Sequence, residues 1–187
     1  MPPRVKITKE DIINVSIDIV REEGKESLNA RNIAKKLNCS TQPIFFNFSS
    51  MEELKNAVTV SAFNIYLDFL NKETKKDKYP QYKAFGIGYI RFAKEERQLF
   101  KLLFMRDRTG EEFVSTHDRE ASIELLMKNN GFSREMAELM QLEMWVFVHG
   151  IASMFATSYL DLEWNLISKM LTDAYKGIAT RLLEEDK

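Results

Sequence analysis

Cysteine is almost absent from this chain, with only Cys39 among 187 residues. One thiol closes no internal disulfide and builds no thiolate zinc cluster, so a disulfide-stapled secreted fold is excluded. Histidine occurs twice, too few for a Cys/His metal centre. Glycine and proline are scarce, at 7 and 4, and no stretch sustains apolar–polar alternation. Hairpins and sandwiches need both, so their lack points to helices. No apolar run follows the opening Met-Pro-Pro-Arg-Val-Lys. No signal peptide is read there, and a cytoplasmic location without a membrane partner is expected. Neither sign of charge dominates, with 27 Lys+Arg against 28 Asp+Glu. What is plentiful is apolar surface, including 13 Phe, 6 Tyr and 2 Trp. That supply excludes intrinsic disorder, because it can offset the entropy of ordering.

Enzymatic signatures are missing as well. No Gly-x-Ser-x-Gly elbow, phosphate-binding Gly-Lys loop or His-Glu-x-x-His pair occurs, and Gly86–Ile87–Gly88 lacks a third glycine and a preceding strand. The carboxylate pairs Glu52–Glu53, Glu95–Glu96 and Glu111–Glu112 fall at helix starts or in loops, where solvated charge is the ordinary reading. Cys39 reads as a small buried hydrophobe. The chain is therefore expected to be no enzyme and to need no cofactor or metal.

Helical spacing recurs throughout, so the class expected is all-α with about nine helices. The first opens at Thr8, with Asp11 as the partner of a capping box, buries Ile12, Ile13, Ile17 and Val20, and stops at a left-handed Gly24. A short helix over 30–37 follows, with Asn29 as its N-cap. A turn at Asn38–Cys39 leads to a third helix, capped by Ser40 and running through Asn47, with Pro43 in its first turn. Ser50 and Glu53 suggest a capping box for a long fourth helix with a stripe of Leu54, Ala57, Val58, Ser61, Ile65 and Phe69. The charged segment 71–80 is the candidate boundary. The division expected is a helix-turn-helix domain at 1–50, a connecting helix and linker at 51–78, and a larger antiparallel helical domain at 79–187. Further helices are expected near 80–94, 96–105, 115–129, 134–159 and 162–185, broken at Thr109–Gly110 and Asn130–Gly131.

From Met144 to Leu160 no side chain is formally charged. Such a helix spans a membrane or is buried on every side, and this run is short and carries His149, Ser153, Thr157 and Ser158, so burial is preferred. The last helix has a one-sided stripe. Together they suit a four-helix homodimer interface through Ala152, Ala156, Ile167, Leu171, Ala174 and Ile178. The alternative is that both are core of a single chain.

Residues 28–54 carry the most information. Two short helices joined by a tight turn make a helix-turn-helix, whose second helix can enter a major groove. Ile33, Ala34 and Leu37 face the motif's core, while Ile44, Phe45 or Phe46, and Phe48 anchor the second helix. Ser40, Thr41, Gln42 and Asn47 remain as polar groups for base edges and phosphates. The first 50 residues hold eight Lys/Arg and six Asp/Glu, a weak basic bias led by Arg4, Lys6 and Lys9.

Leu28 through Leu54 resembles the helix-turn-helix of the TetR family of bacterial transcriptional regulators. It has the Ile-Ala pair, the turn, the Ser-capped recognition helix, the aromatic–aromatic–x–Phe ending and Ser-x-Glu-Glu-Leu. Arg91–Phe92–Ala93, Leu99–Phe100 and Leu102–Leu103–Phe104 resemble a C-terminal subtype of that family named for a Trp-His-Gly motif. Trp145, His149 and Gly150 are similar to the motif itself. The resemblance implies a ligand-responsive repressor, a homodimer on double-stranded operator DNA released by a hydrophobic or amphipathic effector. It implies DNA-facing roles for Arg31, Thr41, Gln42, Phe45 and Asn47, with Ser40 and Ser50 offering helix N-termini to phosphates. An effector cavity is implied near Phe85, Phe92, Phe104, Trp145 and His149, although His149 can equally be a satisfied core residue. The family has Tyr where Phe45 stands and Lys where Ser49 and Met51 stand. Those losses favour a weaker phosphate grip, partly compensated by the arm at Arg4 and Lys6. They also motivate an alternative, an all-α dimeric ligand-binding or interaction module with weakened DNA contacts.

Overall fold

The computed structural model describes residues 7–107, 109 and 117–185. Outside them lie the basic arm at Arg4 and Lys6, Gly110 of the expected break, the Glu111–Glu112 pair and the expected helix start at 115. The described residues contain nine α-helices and no strand. These are α1 (Lys9–Glu23), α2 (Ala30–Lys36), α3 (Gln42–Asn47), α4 (Met51–Lys75), α5 (Gln81–Glu95), α6 (Arg97–Phe104), α7 (His117–Asn130), α8 (Arg134–Ala156) and α9 (Trp164–Glu185). The all-α class is the one expected. Helix ends lie within three residues of the expected ones, except that α4 runs on to Lys75, five residues past its expected end at 70 and into the charged segment. The expected end of α8 at 159 is not reached; it stops at Ala156 because the Thr157 hydroxyl donates back to the Ser153 carbonyl and Ser158 turns to φ +58°.

Contacts gather the chain into two compact units. One comprises Met1–Leu67 with Glu96–Arg106, the other Asp68–Glu95 with Asp107–Lys187. This division differs from the one read from sequence, since α6 joins the first unit and α4 is shared by both. Arg21 of α1 explains the placement of α6. Its guanidinium donates to both carboxylate oxygens of Glu96 at 2.9 and 2.8 Å, and that bond holds the arginine's pKa above its ordinary value. Leu99, Phe100 and Leu103 bury the inner face of α6.

In the first unit α1 starts with a complete capping box. The Thr8 hydroxyl accepts the Asp11 N–H, and the Asp11 carboxylate accepts the Thr8 N–H at 2.8 Å. Ile12, Ile17, Ile19 and Val20 are buried as the spacing requires, but Ile13 is only half-buried and Ile19 takes its place. Gly24 ends the helix at φ +86° with ψ 169°, a conformation open to glycine but outside the left-handed helical cap expected. The stripe of α4 runs Leu54, Val58, Ala62, Tyr66 and Leu70, spaced every four residues. Ala57, Ser61, Ile65 and Phe69 flank it half-buried, so the expected stripe drifted one position around the helix.

The second unit is organised around α8, which packs on α5, α7 and α9. Its core includes Ile87, Ile90, Phe92, Ile123, Leu126, Met140, Met144, Ile151, Phe155, Ile167 and Leu171. A polar seam crosses this apolar interior. The Tyr82 hydroxyl donates to Gln141 Oε1 at 2.8 Å, and Asn130 Nδ2 donates to the Tyr175 hydroxyl at 2.7 Å. Burial raises the Tyr82 pKa, which keeps it a protonated donor. Gly88 lets α5 approach the end of α4 closely, since a Cβ there would lie 3.2 Å from the Leu70 Cα.

Two expectations about the last helices need correction. Burial of α8 on every side is not met, because Leu139, Leu142, Trp145, Val146 and Met154 are exposed. Conversely, Ala152, Ala156, Ile167 and Leu171, expected at a dimer interface, have at most 3% exposure within the single chain, and Ala174 and Ile178 are half-buried. Small or aliphatic residues at these positions fill the space among α5, α8 and α9, so the first four have no surface to offer a partner. At 23 residues α8 is also long and apolar enough to cross a membrane by length and composition alone. One face of it is buried within the chain, and Glu143 pairs with Arg181 of α9 at 2.6 Å.

Candidate nucleic-acid interface and ligand region

The helix-turn-helix is assembled from local rules. The Asn29 side-chain carbonyl accepts the N–H groups of Arg31 and Asn32, at 3.1 and 3.0 Å, and so starts α2. Asn38 takes φ +56° in the turn, a conformation asparagine tolerates. Then α3 starts without a side-chain cap. Thr41, not Ser40, is its N-cap, and its carbonyl accepts the Ile44 and Phe45 N–H groups at 3.1 and 3.3 Å. Pro43 sits at the second position of α3 and has no N–H, so one orphan donor is already gone and the Ser40 hydroxyl has less to cap.

Ile44 is 0% and Phe48 3% exposed, four residues apart on one side of α3. That apolar pair anchors the helix from beneath. Phe45 is 50% exposed and Phe46 85% exposed, so neither is an anchor. Gln42 and Phe46, also four residues apart, form the ridge on the opposite side. Ser40 and Arg31 are exposed, and Thr41 is half-buried. Asn47 points elsewhere than expected. Its amide donates to the Pro43 carbonyl at 2.8 Å and the Ile7 carbonyl at 3.4 Å, so its donors hold the fold together. Ser50 is exposed, but its hydroxyl accepts the Glu53 N–H at 3.1 Å. The Glu53 carboxylate accepts the Ser49 N–H and hydroxyl, both at 2.7 Å, and these bonds hold its pKa below the ordinary value. The capping box therefore closes one residue earlier than expected, on Ser49. A phosphate at this helix start would meet the carboxylates of Glu52 and Glu53.

Charge around α3 is modest. Arg31 and Lys35 are exposed on α2, and Lys36 is paired with Glu22 at 2.6 Å. Lys9 reaches Glu53 at 3.5 Å and lies over the Phe48 ring. Phe46 is the residue that sequence reasoning missed. The signal was available, because two anchors four apart at 44 and 48 leave 46 facing outward.

The five residues expected to line an effector cavity are divided between the two units. Phe104 belongs to the first unit, against Tyr66 and Phe100, each at 5.2 Å between ring centres. The other four belong to the second unit. Phe92 is fully buried edge-on against Phe69, and Phe85 is half-buried. Trp145 is 44% exposed and lies parallel to the His149 ring at 5.0 Å. His149 Nδ1 shares a 2.8 Å hydrogen bond with the Tyr89 hydroxyl, and partial burial lowers its pKa. A Cβ at Gly150 would meet nothing within 4 Å.

A hollow of about 360 Å³ lies elsewhere in the second unit, lined by Phe69, Lys72, Glu73, Lys76, Arg91 and Glu95. Its floor is the buried Glu73, bonded to Arg91 Nε at 3.0 Å and Lys76 Nζ at 2.6 Å. Arg91 also meets Glu95 at 3.2 Å and stacks on Trp164 at 4.3 Å. The neighbours Glu95 and Glu96 thus go to different arginines, each in its own unit. Among the described residues no group of three His, Cys, Asp or Glu side chains converges as metal ligands would.

No family model matches the chain, and no curated protein matches it. Solved structures do. A protein of unknown function from Rhodococcus sp. RHA1 aligns over 96% of this chain and 97% of its own, at TM-score 0.72 and 15% identity. The multidrug binding protein EbrR, complexed with imidazole, aligns over 93% and 96% at TM-score 0.60 and 15% identity. A TetR variant from Acinetobacter baumannii AYE in complex with minocycline aligns over 97% of both chains at TM-score 0.55 and 15% identity. The chain shares the all-helical fold of these proteins.

Proposed function

We propose that this chain is a transcriptional regulator of the TetR type, reading operator DNA as a homodimer and responding to a small hydrophobic or amphipathic effector. Repression relieved by that effector is the mode of action put forward, with a cytoplasmic location and no catalytic role. The observation that carries the reading is the solvent-facing ridge of α3. A short helix held from beneath by Ile44 and Phe48 presents Gln42 and Phe46 outward, and Arg31 and Lys35 of the preceding helix α2 are exposed as well. That is the arrangement a recognition helix needs, base-reading groups on one side and cations at its flank. The DNA-facing set proposed is Arg31, Ser40, Thr41, Gln42 and Phe45, joined by Phe46 and without Asn47 and Ser50, whose polar groups are engaged by the fold.

The dimer is proposed through the open face of α8, where Leu142, Val146, Gly150 and Met154 follow one another every four residues, with Leu166 and Gly177 of α9. Two copies of α3 must then match major grooves about 34–36 Å apart. An effector among α5, α8 and α9, near Phe85, Phe92, Trp145 and His149, would act through α4 and α6, where the chain passes from one unit to the other. It must favour one state by differential affinity, typically about 1–3 kcal/mol.

Fluorescence anisotropy with duplexes enriched from a randomised pool tests the reading. Specific binding with a salt slope of a few phosphates is expected. Gln42→Ala should lose about 1–3 kcal/mol on the enriched duplex and little on random DNA. The uncharged outer face of α3 favours the second reading, a dimeric interaction module. Dimerisation without any duplex enrichment would establish it.

A further inference from the structure

The outer ridge of α3 carries an apolar group where a polar or charged one is the norm for an exposed surface. Phe46 is 85% exposed and Phe45 50% exposed, side by side on a six-residue helix. Both could have been buried at little structural cost only if the helix turned, but Ile44 and Phe48 fix its orientation from below. Phe46 therefore stands out from the unit with none of the described residues burying it. Two adjacent phenylalanines in water are unfavourable, and a patch of this kind marks a surface covered in the working state.

The flanking chemistry identifies what covers it. Gln42, one turn before Phe46, offers both a donor and an acceptor, which suits the edge of a base pair. Ser40, Thr41 and Ser49 are neutral and short, so the ridge stands clear of its neighbours. Arg31 and Lys35 supply positive charge from the adjacent helix, and no acidic residue occurs in α3. A bidentate amide one turn from Phe46, with exposed cations on the preceding helix and no carboxylate in α3, suits a DNA groove better than a protein partner. Within the major groove the one apolar feature on a base edge is the thymine 5-methyl group, and phenylalanine is among the side chains that contact it.

We propose that α3 reads thymine methyl groups, with Phe46 as the principal reader and Phe45 beside it, next to a base pair recognised by Gln42. This rests on the DNA-binding reading above and gives it a chemical class of target: half-sites with thymine, or 5-methylcytosine, under the centre of α3. Recognition here comes from excluding water between a ring and a methyl group, so it contributes specificity while adding nothing to the salt dependence.

The full-length protein is first used to enrich 30-base-pair duplexes from a randomised pool. The winning duplex is then remade with deoxyuridine replacing each thymidine in turn, which removes one methyl group and changes no hydrogen bond. At one or two positions per half-site the affinity should fall about three- to fivefold, the scale expected for one buried methyl. Phe46→Ala should bind the thymidine duplex more weakly and lose that sensitivity, and replacing the critical base with 5-methylcytosine should restore part of the wild-type preference over cytosine. Because Phe46 is exposed, the variant's fold is not at risk, and the deoxyuridine series needs no variant. An enriched duplex whose affinity ignores every thymidine-to-deoxyuridine change would overturn methyl reading and leave DNA binding intact. Failure to enrich any duplex would overturn both.

Discussion

His149 joins an exposed indole to a buried phenol. Trp145 covers one side of its ring and the Tyr89 hydroxyl meets Nδ1 at 2.8 Å. Burial disfavours the imidazolium, so the pKa lies below the ordinary 6.5. The sign follows from proton uptake. Above pH 6.5 both folded and unfolded chains hold the ring neutral, and its contribution to stability is fully present. As pH falls below 6.5 and through the folded value, the unfolded chain takes up the proton first and stability is lost. Urea melts of the wild type should therefore weaken from pH 7 toward pH 5, and His149→Gln should flatten that portion of the curve. The lowered carboxylates Asp11 and Glu53 act in a separate window, since their ordinary values are 3.8 and 4.5. Equal slopes for the two proteins across pH 7–5 would remove His149 from the account. Residue roles were only partly legible in the sequence. The Thr8–Asp11 box and the Asn29 cap are local and could be read directly. Asn47 and Ser50 could not, because a side chain's use depends on which carbonyls and amides the tertiary fold brings within reach.

Helices were legible where periodicity was strong, and register slipped where apolar residues crowd both sides. In α4, alanines, serine and aromatics on neighbouring faces make two stripes nearly equal in sequence, and only packing selects Leu54, Val58, Ala62, Tyr66 and Leu70. The same scale governs the glycines of α5. At Gly88 a Cβ would sit 3.1 to 3.3 Å from Leu70 and the Phe69 carbonyl, largely against backbone of α4. At Gly86 the nearest atom is a Val148 methyl at 3.4 Å, an ordinary contact. Gly88→Ala should destabilise by about 1–3 kcal/mol, since the helices must separate. Gly86→Ala should be neutral or stabilise by up to about 1 kcal/mol through helix propensity. Chemical denaturation of the two variants checks the contrast, and a harmless Gly88→Ala would show that α4 and α5 are not held so close.

At the scale of the whole molecule, what the chain leaves unburied matters most. The sequence showed that α8 is apolar nearly all round, but not which side its own chain covers, because that depends on how α5, α7 and α9 divide its surface. Ala152 lies inside and Val146 outside, at 58% exposure. Under the proposed dimer, Val146→Glu should yield a folded monomer, since the charge costs little until a partner covers it. Ala152→Glu should instead destabilise the chain itself by several kcal/mol, through an unpaired buried charge. Sedimentation equilibrium and thermal melts on both variants separate the outcomes, and an unchanged oligomeric state in Val146→Glu would move the interface off this face.

The return of α6 to the first unit has a consequence for inheritance. A chain that leaves a unit through α4, builds the whole of α5, and comes back at Glu96 cannot be cut into its two units at a single point. A recombination joint placed after α4 would hand the new protein an α1 whose Arg21 has lost Glu96, and whose surface has lost Leu99, Phe100 and Leu103. A transplant that keeps the first unit whole must carry two pieces, the helices through Leu67 and the stretch Glu96–Arg106, with whatever lies between them supplied by the host. Under the proposed reading of DNA, specificity would thus change more easily by point substitution along the ridge of α3 than by swapping segments.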